Sequence, residues 1–211
     1  MQSYLLKPGQ TSELSRKLAL LVLGLFGWKV FYKPLPGPRG VIIVYPHTSN
    51  WDFPIGVLGK IAIGQRFRFI AKSSLFEGVT GALFGPFLRA IGGSPVERGV
   101  STGAIVRIAE QMHKADWYWL ALAPEGTRSL RPYWRSGFYH IARNANVPLA
   151  CAYFDFRRKC ISLTDYLTLT GDPDTDMAAI AAVYKDVQGC RPALAGPVRL
   201  KPEETQGGNQ A

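Results

Sequence analysis

Cysteine is scarce in this chain of 211 residues, which contains only Cys151, Cys160 and Cys190. The cysteines form no C-x-x-C pair and leave an odd number, so the sequence predicts neither a disulfide framework nor a cysteine-based zinc site. The three histidines make no H-E-x-x-H or similar metal-binding pattern. We therefore expect no bound metal, and this cysteine usage is typical of a reducing compartment.

The chain also lacks an apolar run long enough to cross a bilayer. The apolar stretch from Leu18 to Trp28 (LALLVLGLFGW) is about half the length that a hydrocarbon core of ~30 Å requires of a spanning helix. The pattern does not fit a signal peptide either, because Lys29 and Lys33 follow this stretch where an A-x-A-like cleavage site should lie. We therefore expect the mature chain to keep this segment without crossing a membrane through it.

Negative charge is in the minority, since 25 Lys and Arg residues face 15 Asp and Glu residues and give a formal net charge of +10. Such an excess predicts attraction to phosphate-bearing partners, among which are anionic lipid and nucleic acid. The basic residues are scattered without a run of five or more, and the aromatic residues make no RNP-like motif. These absences favour a membrane surface over nucleic acid as the partner.

The segment from Ser12 to about Lys33 is predicted to form one amphipathic helix. Cationic and aromatic residues flank its apolar part, and such flanks suit the headgroup layer of a membrane. We therefore predict a helix that associates with the membrane surface. The alternative is a helix buried in the core, because apolar runs of this length are common in cores. The flanking residues are Arg16 and Lys17 before the apolar part, and Trp28, Lys29, Phe31, Tyr32 and Lys33 after it.

Three prolines and two glycines make residues 34–40 (PLPGPRG) a linker, because proline fixes φ and removes a backbone donor. We divide the chain accordingly into three parts. Residues 1–40 carry the membrane-associating helix and the linker, and residues 41–202 form the main domain. Residues 203–211 (EETQGGNQA) are a polar tail that we expect to be disordered.

After the linker, short apolar runs alternate with helical patterns. This alternation predicts a single α/β domain with a mostly parallel central sheet flanked by helices. The predicted strands cover residues 41–45, 67–71, 94–96, 118–123, 148–154 and 160–163. The predicted helices cover residues 51–63, 103–114, 137–146 and 176–187, and a glycine-punctuated helical region reaches residue 91.

Two polar residues follow the first predicted strand. His47 lies between a strand and a helix, where α/β folds place functional groups because side chains there face a crevice. Asp52 comes five positions later, and a turn at residues 48–50 allows its carboxylate to accept a hydrogen bond from one imidazole nitrogen. That bond would fix the tautomer and leave the other nitrogen free as a base. Alone, such a pair is more often a cap or a satisfied polar contact.

A second polar turn, Pro124-Glu125-Gly126-Thr127-Arg128, follows the predicted strand at residues 118–123. Gly126 permits a tight turn, Glu125 can accept a hydrogen bond from a hydroxyl, and Arg128 can donate two parallel hydrogen bonds to a phosphate. The alternative is a surface turn with an internal ion pair. Because both polar loops follow the C-terminal ends of strands, they can share one crevice.

In combination, the two motifs resemble those of a known family. The segments 47–52 (HTSNWD) and 124–129 (PEGTRS), in this order and separation, resemble the first and third blocks of PlsC-type glycerolipid acyltransferases. Residues 92–98 (GGSPVER) resemble the second block, and Ala71-Lys72 is similar to a lysine-containing strand end of that family. The resemblance covers residues 41 to about 154.

Two departures from the family pattern concern the acceptor. Residues 147–152 (VPLACA) keep only the first of the two prolines of the fourth block, and Glu97 stands where many members have Asp.

The resemblance implies that His47 is the general base and that Asp52 orients it. It also implies an acceptor-binding set that consists of Lys72, Arg98, Glu125, Gly126, Thr127 and Arg128.

The implied reaction is direct transfer of an acyl group from a thioester of CoA or acyl carrier protein to a lysophospholipid hydroxyl, with 1-acylglycerol-3-phosphate as an example. The thioester is a co-substrate and no cofactor is implied. We expect the enzyme to be peripheral or monotopic at the cytoplasmic face of a membrane. A covalent acyl-enzyme is disfavoured, because G-x-S-x-G is absent and the cysteines lie far from His47 in the sequence.

Three alternatives remain open at this point. They are transfer to another lyso-lipid acceptor, hydrolysis of the thioester by the same pair, and a non-catalytic basic module that only binds lipid.

Overall fold

Strands and helices account for most of residues 11–72, 77–96 and 102–202, which are the residues that this computed structural model describes. The strands are β1 (Lys29–Tyr32), β2 (Arg39–Val44), β3 (Arg68–Lys72), β4 (Gly93–Val96), β5 (Tyr118–Leu122), β6 (Leu149–Asp155) and β7 (Cys160–Leu167). The helices are α1 (Glu13–Leu25), α2 (Asp52–Ile63), α3 (Gly78–Ala90), α4 (Thr102–Lys114), α5 (Gly137–Asn144) and α6 (Pro173–Tyr184).

The described strands form one sheet of seven in the order β1-β7-β6-β2-β5-β3-β4. Every neighbouring pair is parallel except β6 and β7. The predicted α/β domain with a mostly parallel sheet is therefore confirmed. The predicted strand at residues 160–163 is longer than expected and continues to Leu167.

The central strand β2 is buried on both faces of the sheet, as expected for a strand between two parallel neighbours. Val41 and Ile43 pack into a core cluster that also contains Phe138 of α5. Ile42 points to the other face and packs with Trp119 of β5. This burial on both faces explains why β2 appears in the sequence as an unbroken apolar run.

The predicted helix from residue 12 to about residue 33 is too long, because α1 ends at Leu25. Gly27 follows with a φ of +78°, the left-handed conformation that glycine adopts readily. The Trp28 N–H donates to the Leu23 carbonyl at 2.9 Å, which completes a Schellman arrangement at the helix end. The chain then continues as β1, which pairs with β7. The predicted boundary after residue 40 therefore falls beyond the first strand of the sheet.

Helix α1 is buried on one side only. Ala19 and Leu23 pack in a cluster that includes Ala62 of α2 and Ile161 of β7. None of the helices in the described part of the chain has the length and hydropathy that a membrane span requires. The opposite side of α1 exposes leucine side chains: Leu14 by 78%, Leu18 by 58%, Leu21 by 60% and Leu25 by 75%.

The strand directions bring several loops to one edge of the sheet, which we call the carboxyl edge. The C-terminal ends of β2, β3, β5 and β6 lie there because these strands are parallel. The turn at residues 156–159 lies at the same edge, since β7 runs back antiparallel to β6. Within this turn, Lys159 Nζ donates to the Phe26 carbonyl at 3.2 Å, so the end of α1 also reaches the carboxyl edge.

Gly40 provides a test of the packing between β2 and β5. A Cβ at this position would overlap the indole of Trp119, which is completely buried. We therefore expect Gly40→Ala to lower the free energy of unfolding by about 1–3 kcal/mol, the usual cost of overpacking. Denaturant unfolding measures this change.

The matched control is Gly37→Ala, where a Cβ would meet no atom within 4 Å. We expect this control to change the free energy of unfolding by less than about 0.5 kcal/mol. Equal stability of the two variants would contradict the described contact between Gly40 and Trp119.

Candidate active site

The loop between β2 and α2 carries the predicted His47 and Asp52, and the structure brings their side chains together. Asp52 is the first residue of α2 and is only 2% exposed. Its Oδ2 lies 3.1 Å from His47 Nδ1. The same oxygen accepts the backbone N–H groups of Thr48 and Ser49, each at 2.9 Å. One carboxylate oxygen therefore holds both the imidazole and the loop that precedes the helix.

The position of Asp52 is electrostatically favourable, because the N-terminal end of a helix stabilises a negative charge. A carboxylate oxygen can only accept a hydrogen bond, so His47 Nδ1 carries the hydrogen in this pair. The His47 side chain remains 22% exposed. In a neutral imidazole with its hydrogen on Nδ1, Nε2 carries none and can act as a general base toward a ligand.

Glu125 lies beneath this loop rather than at its surface. It is 2% exposed, and its Oε2 accepts the backbone N–H of His47 at 2.7 Å. Its Oε1 accepts the backbone N–H of Gly196 at 3.1 Å. Burial raises the pKa of the Glu125 carboxyl above its ordinary value, and the two backbone hydrogen bonds act in the opposite direction. Both oxygens are thus already bonded within the protein.

Gly126 has a φ of +65°, which explains the glycine in this turn. The turn closes through a hydrogen bond from the Gly126 N–H to the Ala123 carbonyl at 3.0 Å. A Cβ at Gly126 would lie 2.7 Å from Nε of Arg135, so the guanidinium group of Arg135 packs directly on the turn. The hydroxyl of Thr127 accepts the N–H of Ser129 at 3.3 Å and therefore stabilises the turn.

Arg128 connects this turn to the loop of His47. Its Nε donates to the Ser49 carbonyl at 3.1 Å, and the residue is exposed. Among the described residues, its terminal nitrogens have no hydrogen-bond partner. The fork of the guanidinium group is therefore available to an anion near His47.

For Lys72 the structure describes only the backbone, and for Arg98 it describes nothing. Lys72 is the last residue of β3 and pairs in register with Val96, so its backbone ends at the carboxyl edge. Arg98 lies outside the described residues.

Sequence reasoning missed three residues that lie beside the catalytic candidates. Thr48 is buried, and its hydroxyl accepts the backbone N–H of Arg191 at 3.1 Å. Gly196 contacts Glu125, as described above, and Arg135 packs on Gly126. Arg135 therefore packs a second guanidinium group on the turn that carries Arg128. The basic character of the stretch from Arg128 to Arg135 was the one available signal, whereas no local pattern connects Gly196 with Glu125.

Comparisons with known proteins support one family. A model of the family described as Acyltransferase matches residues 31–154, which contain both polar loops. Among solved structures, the chain is similar to the crystal structure of the 1-acyl-sn-glycerophosphate (LPA) acyltransferase, PlsC, from Thermotoga maritima. The TM-score is 0.51 at 19% identity, over 82% of this chain and 76% of that chain. This likeness shows a shared fold. No curated protein matches the chain significantly.

Proposed function

The chain belongs to the acyltransferase family, and from this premise we propose that it transfers a fatty acyl group from a thioester to the hydroxyl of a lysophospholipid such as 1-acylglycerol-3-phosphate. The observation that carries the proposal is the contact of 3.1 Å between His47 Nδ1 and the buried Asp52 carboxylate. In a neutral imidazole this contact leaves Nε2 as a base at the carboxyl edge, where Arg128 contacts the same loop through the Ser49 carbonyl. The donor is the thioester of CoA or of acyl carrier protein.

In the proposed reaction, His47 Nε2 takes the proton of the acceptor hydroxyl while the oxygen attacks the thioester carbonyl carbon. Asp52 stabilises the imidazolium that forms. The tetrahedral intermediate then collapses, the carbon–sulfur bond breaks, and the thiolate takes the proton from the imidazolium. The products are the acylated lipid and a free thiol, and no covalent acyl-enzyme is required.

Two arginines at the turn of Gly126 favour an acceptor that carries a phosphate. Arg128 offers its fork, and Arg135 packs on the same turn at Gly126. A guanidinium group matches two phosphate oxygens with parallel hydrogen bonds. The family resemblance adds Arg98 and Lys72 to this binding set.

The other candidate functions differ in what they release. A hydrolase forms free fatty acid without an acceptor, whereas a transferase releases thiol in proportion to acylated lipid. A non-catalytic lipid-binding module releases no thiol. Another lyso-lipid acceptor is identified by the same thiol-release assay over a panel of lysolipids.

Replacement of the base tests the mechanism. We expect His47→Ala to lower the turnover number by about 10²–10⁴-fold, the usual contribution of a general base, while the fold remains intact. We expect Asp52→Asn to impair turnover as well, because an amide can orient the imidazole wrongly and does not stabilise an imidazolium. Thiol release from a long-chain acyl-CoA measures both variants.

His113→Ala is the matched control, because His113 is exposed on α4. It should retain the wild-type rate. If folded His47→Ala also kept near wild-type thiol release, the assignment of the base would be wrong. Wild-type activity of Asp52→Asn would remove Asp52 from the mechanism.

The phosphate-binding role is tested by exchanging arginine for lysine. We expect Arg128→Lys and Arg98→Lys each to raise the KM for 1-acylglycerol-3-phosphate by about tenfold, because lysine keeps the charge but loses the planar fork. The KM for an uncharged acylglycerol should stay the same. Arg66→Lys, an exposed site next to the start of β3, is the control. An unchanged preference between the two acceptors would refute the role.

Two groups of exposed residues support membrane association, and they adjoin where the end of α1 reaches the carboxyl edge. The exposed leucines of α1 form an apolar surface that can enter the acyl boundary of a membrane. Arg157, Arg158 and Lys159, in the turn between β6 and β7, are exposed beside the end of α1. Because His47 lies at the same edge, a bilayer bound there would present its lipids to the base. We place the protein at the cytoplasmic face of a membrane as a peripheral or monotopic enzyme.

Liposome binding tests this placement with point variants, since removal of residues before Pro34 would also remove β1. We expect Leu18→Gln, Leu21→Gln and Leu25→Gln in combination to weaken binding to neutral and anionic liposomes alike. The pair Arg157→Gln and Lys159→Gln should weaken binding only to anionic liposomes, and mainly at low salt.

The control pair Arg66→Gln and Lys114→Gln removes the same charge from the opposite edge of the sheet, and both residues are exposed. We expect this control variant to bind anionic liposomes more tightly than the variant with Arg157→Gln and Lys159→Gln. Equal loss in both pairs would show that only net charge matters. If the wild-type protein did not bind liposomes, the proposed association with a membrane would be wrong.

A further inference from the structure

A segment after α6 packs against the loop of His47, although it lies outside the residues matched by the family model. We call this segment, residues 189–196, the C-terminal strap. We propose that the C-terminal strap positions the catalytic base, acting through the Glu125 carboxylate and the Thr48 hydroxyl. This proposal rests on the proposed function, and it makes Glu125 a positioning residue rather than a ligand of the acceptor.

The first connection runs through Glu125. Its two oxygens accept the N–H groups of His47 at 2.7 Å and of Gly196 at 3.1 Å, so one buried carboxylate joins the base to the C-terminal strap. An acceptor hydroxyl would have to compete with both of these bonds. These contacts therefore hold the backbone of His47 against the C-terminal strap.

The second connection runs through Thr48, the residue after the base. Thr48 is 1% exposed, and its Oγ1 accepts the N–H of Arg191 at 3.1 Å. Gly189 lies against the same hydroxyl, because a Cβ there would be 2.7 Å from Thr48 Oγ1. The C-terminal strap thus contacts the side chain of Thr48, whereas the Asp52 carboxylate accepts the backbone N–H of the same residue.

The third connection fixes the end of the C-terminal strap. The hydroxyl of Tyr45 donates to the Gly196 carbonyl at 2.8 Å. Burial, with the charge of Glu125, raises the pKa of Tyr45 to about 12, which keeps this hydroxyl a donor at neutral pH. A Cβ at Gly196 would overlap the carbonyl oxygen of Arg131, so the backbone has little freedom to shift. The residues on both sides of His47 are therefore tied to the same segment.

Different contacts position the ring and the backbone of His47. Asp52 orients the ring, whereas Glu125 and Thr48 fix the backbone from which the ring projects. A displacement of about 1 Å at a reacting group can cost roughly 10²-fold in rate. Movement of the C-terminal strap should therefore lower the turnover number and leave substrate affinity unchanged. A role of Glu125 in binding the acceptor would instead raise the acceptor KM.

Three variants of the full chain test the proposal with a long-chain acyl-CoA and 1-acylglycerol-3-phosphate. We expect Gly196→Ala and Thr48→Val each to lower kcat by about 10–100-fold, with both KM values within about twofold of wild type. Thr48→Ser retains the hydroxyl and should restore most of the rate. Gly37→Ala, where a Cβ meets no atom within 4 Å, should behave as wild type.

Amide hydrogen exchange of His47 supplies a readout that does not depend on activity. Exchange should accelerate in Thr48→Val and Gly196→Ala but not in Thr48→Ser. If exchange responds in this way while the wild-type protein releases no thiol, the proposed function is wrong, but the C-terminal strap does hold the backbone of His47. Unchanged exchange, equal kcat in the two Thr48 variants, or an effect confined to the acceptor KM would overturn the role of the C-terminal strap.

Discussion

The geometry of the site depends on one buried carboxylate oxygen, Asp52 Oδ2. It accepts two backbone N–H groups and lies 3.1 Å from the imidazole, so the loop and the ring cannot be placed independently. The start of α2 supplies the favourable potential for the charge. Because α2 also packs against α1 and the sheet, the orientation of the imidazole is connected to the core of the protein.

Sequence reasoning succeeded where one local signal determines the structure. The unbroken apolar run of β2 predicted a buried strand, and the spacing of His47 and Asp52 predicted a contact that the structure contains. The parallel sheet then brings the turn of Arg128 to the same edge. Chain direction and hydrophobic periodicity are sufficient to predict such features from the sequence.

Two features were not predicted from the sequence, because their causes are not visible in local periodicity. The helix α1 ends at Leu25, two residues before the left-handed glycine Gly27, although the adjoining residues Phe26 and Trp28 are still aromatic. Glu125 follows a strand in a motif associated with acceptor binding, yet its side chain turns inward to two backbone N–H groups. One of these donors, Gly196, is distant in sequence, and no spacing rule relates the two residues.

The position of β7 has a consequence for how the chain reaches its fold. This strand lies between β1 and β6, and its pairing with β1 joins Lys29 to Cys160 across more than half of the chain. Pairings of such high contact order form slowly, because a long loop must close before the contacts repay its entropy. Among the described strands only β7 pairs with β1, so during synthesis β1 has no strand partner until β7 has left the ribosome. The family model matches residues 31–154 and so ends before β7, whereas the sheet is complete only when β7 has joined β1 to β6.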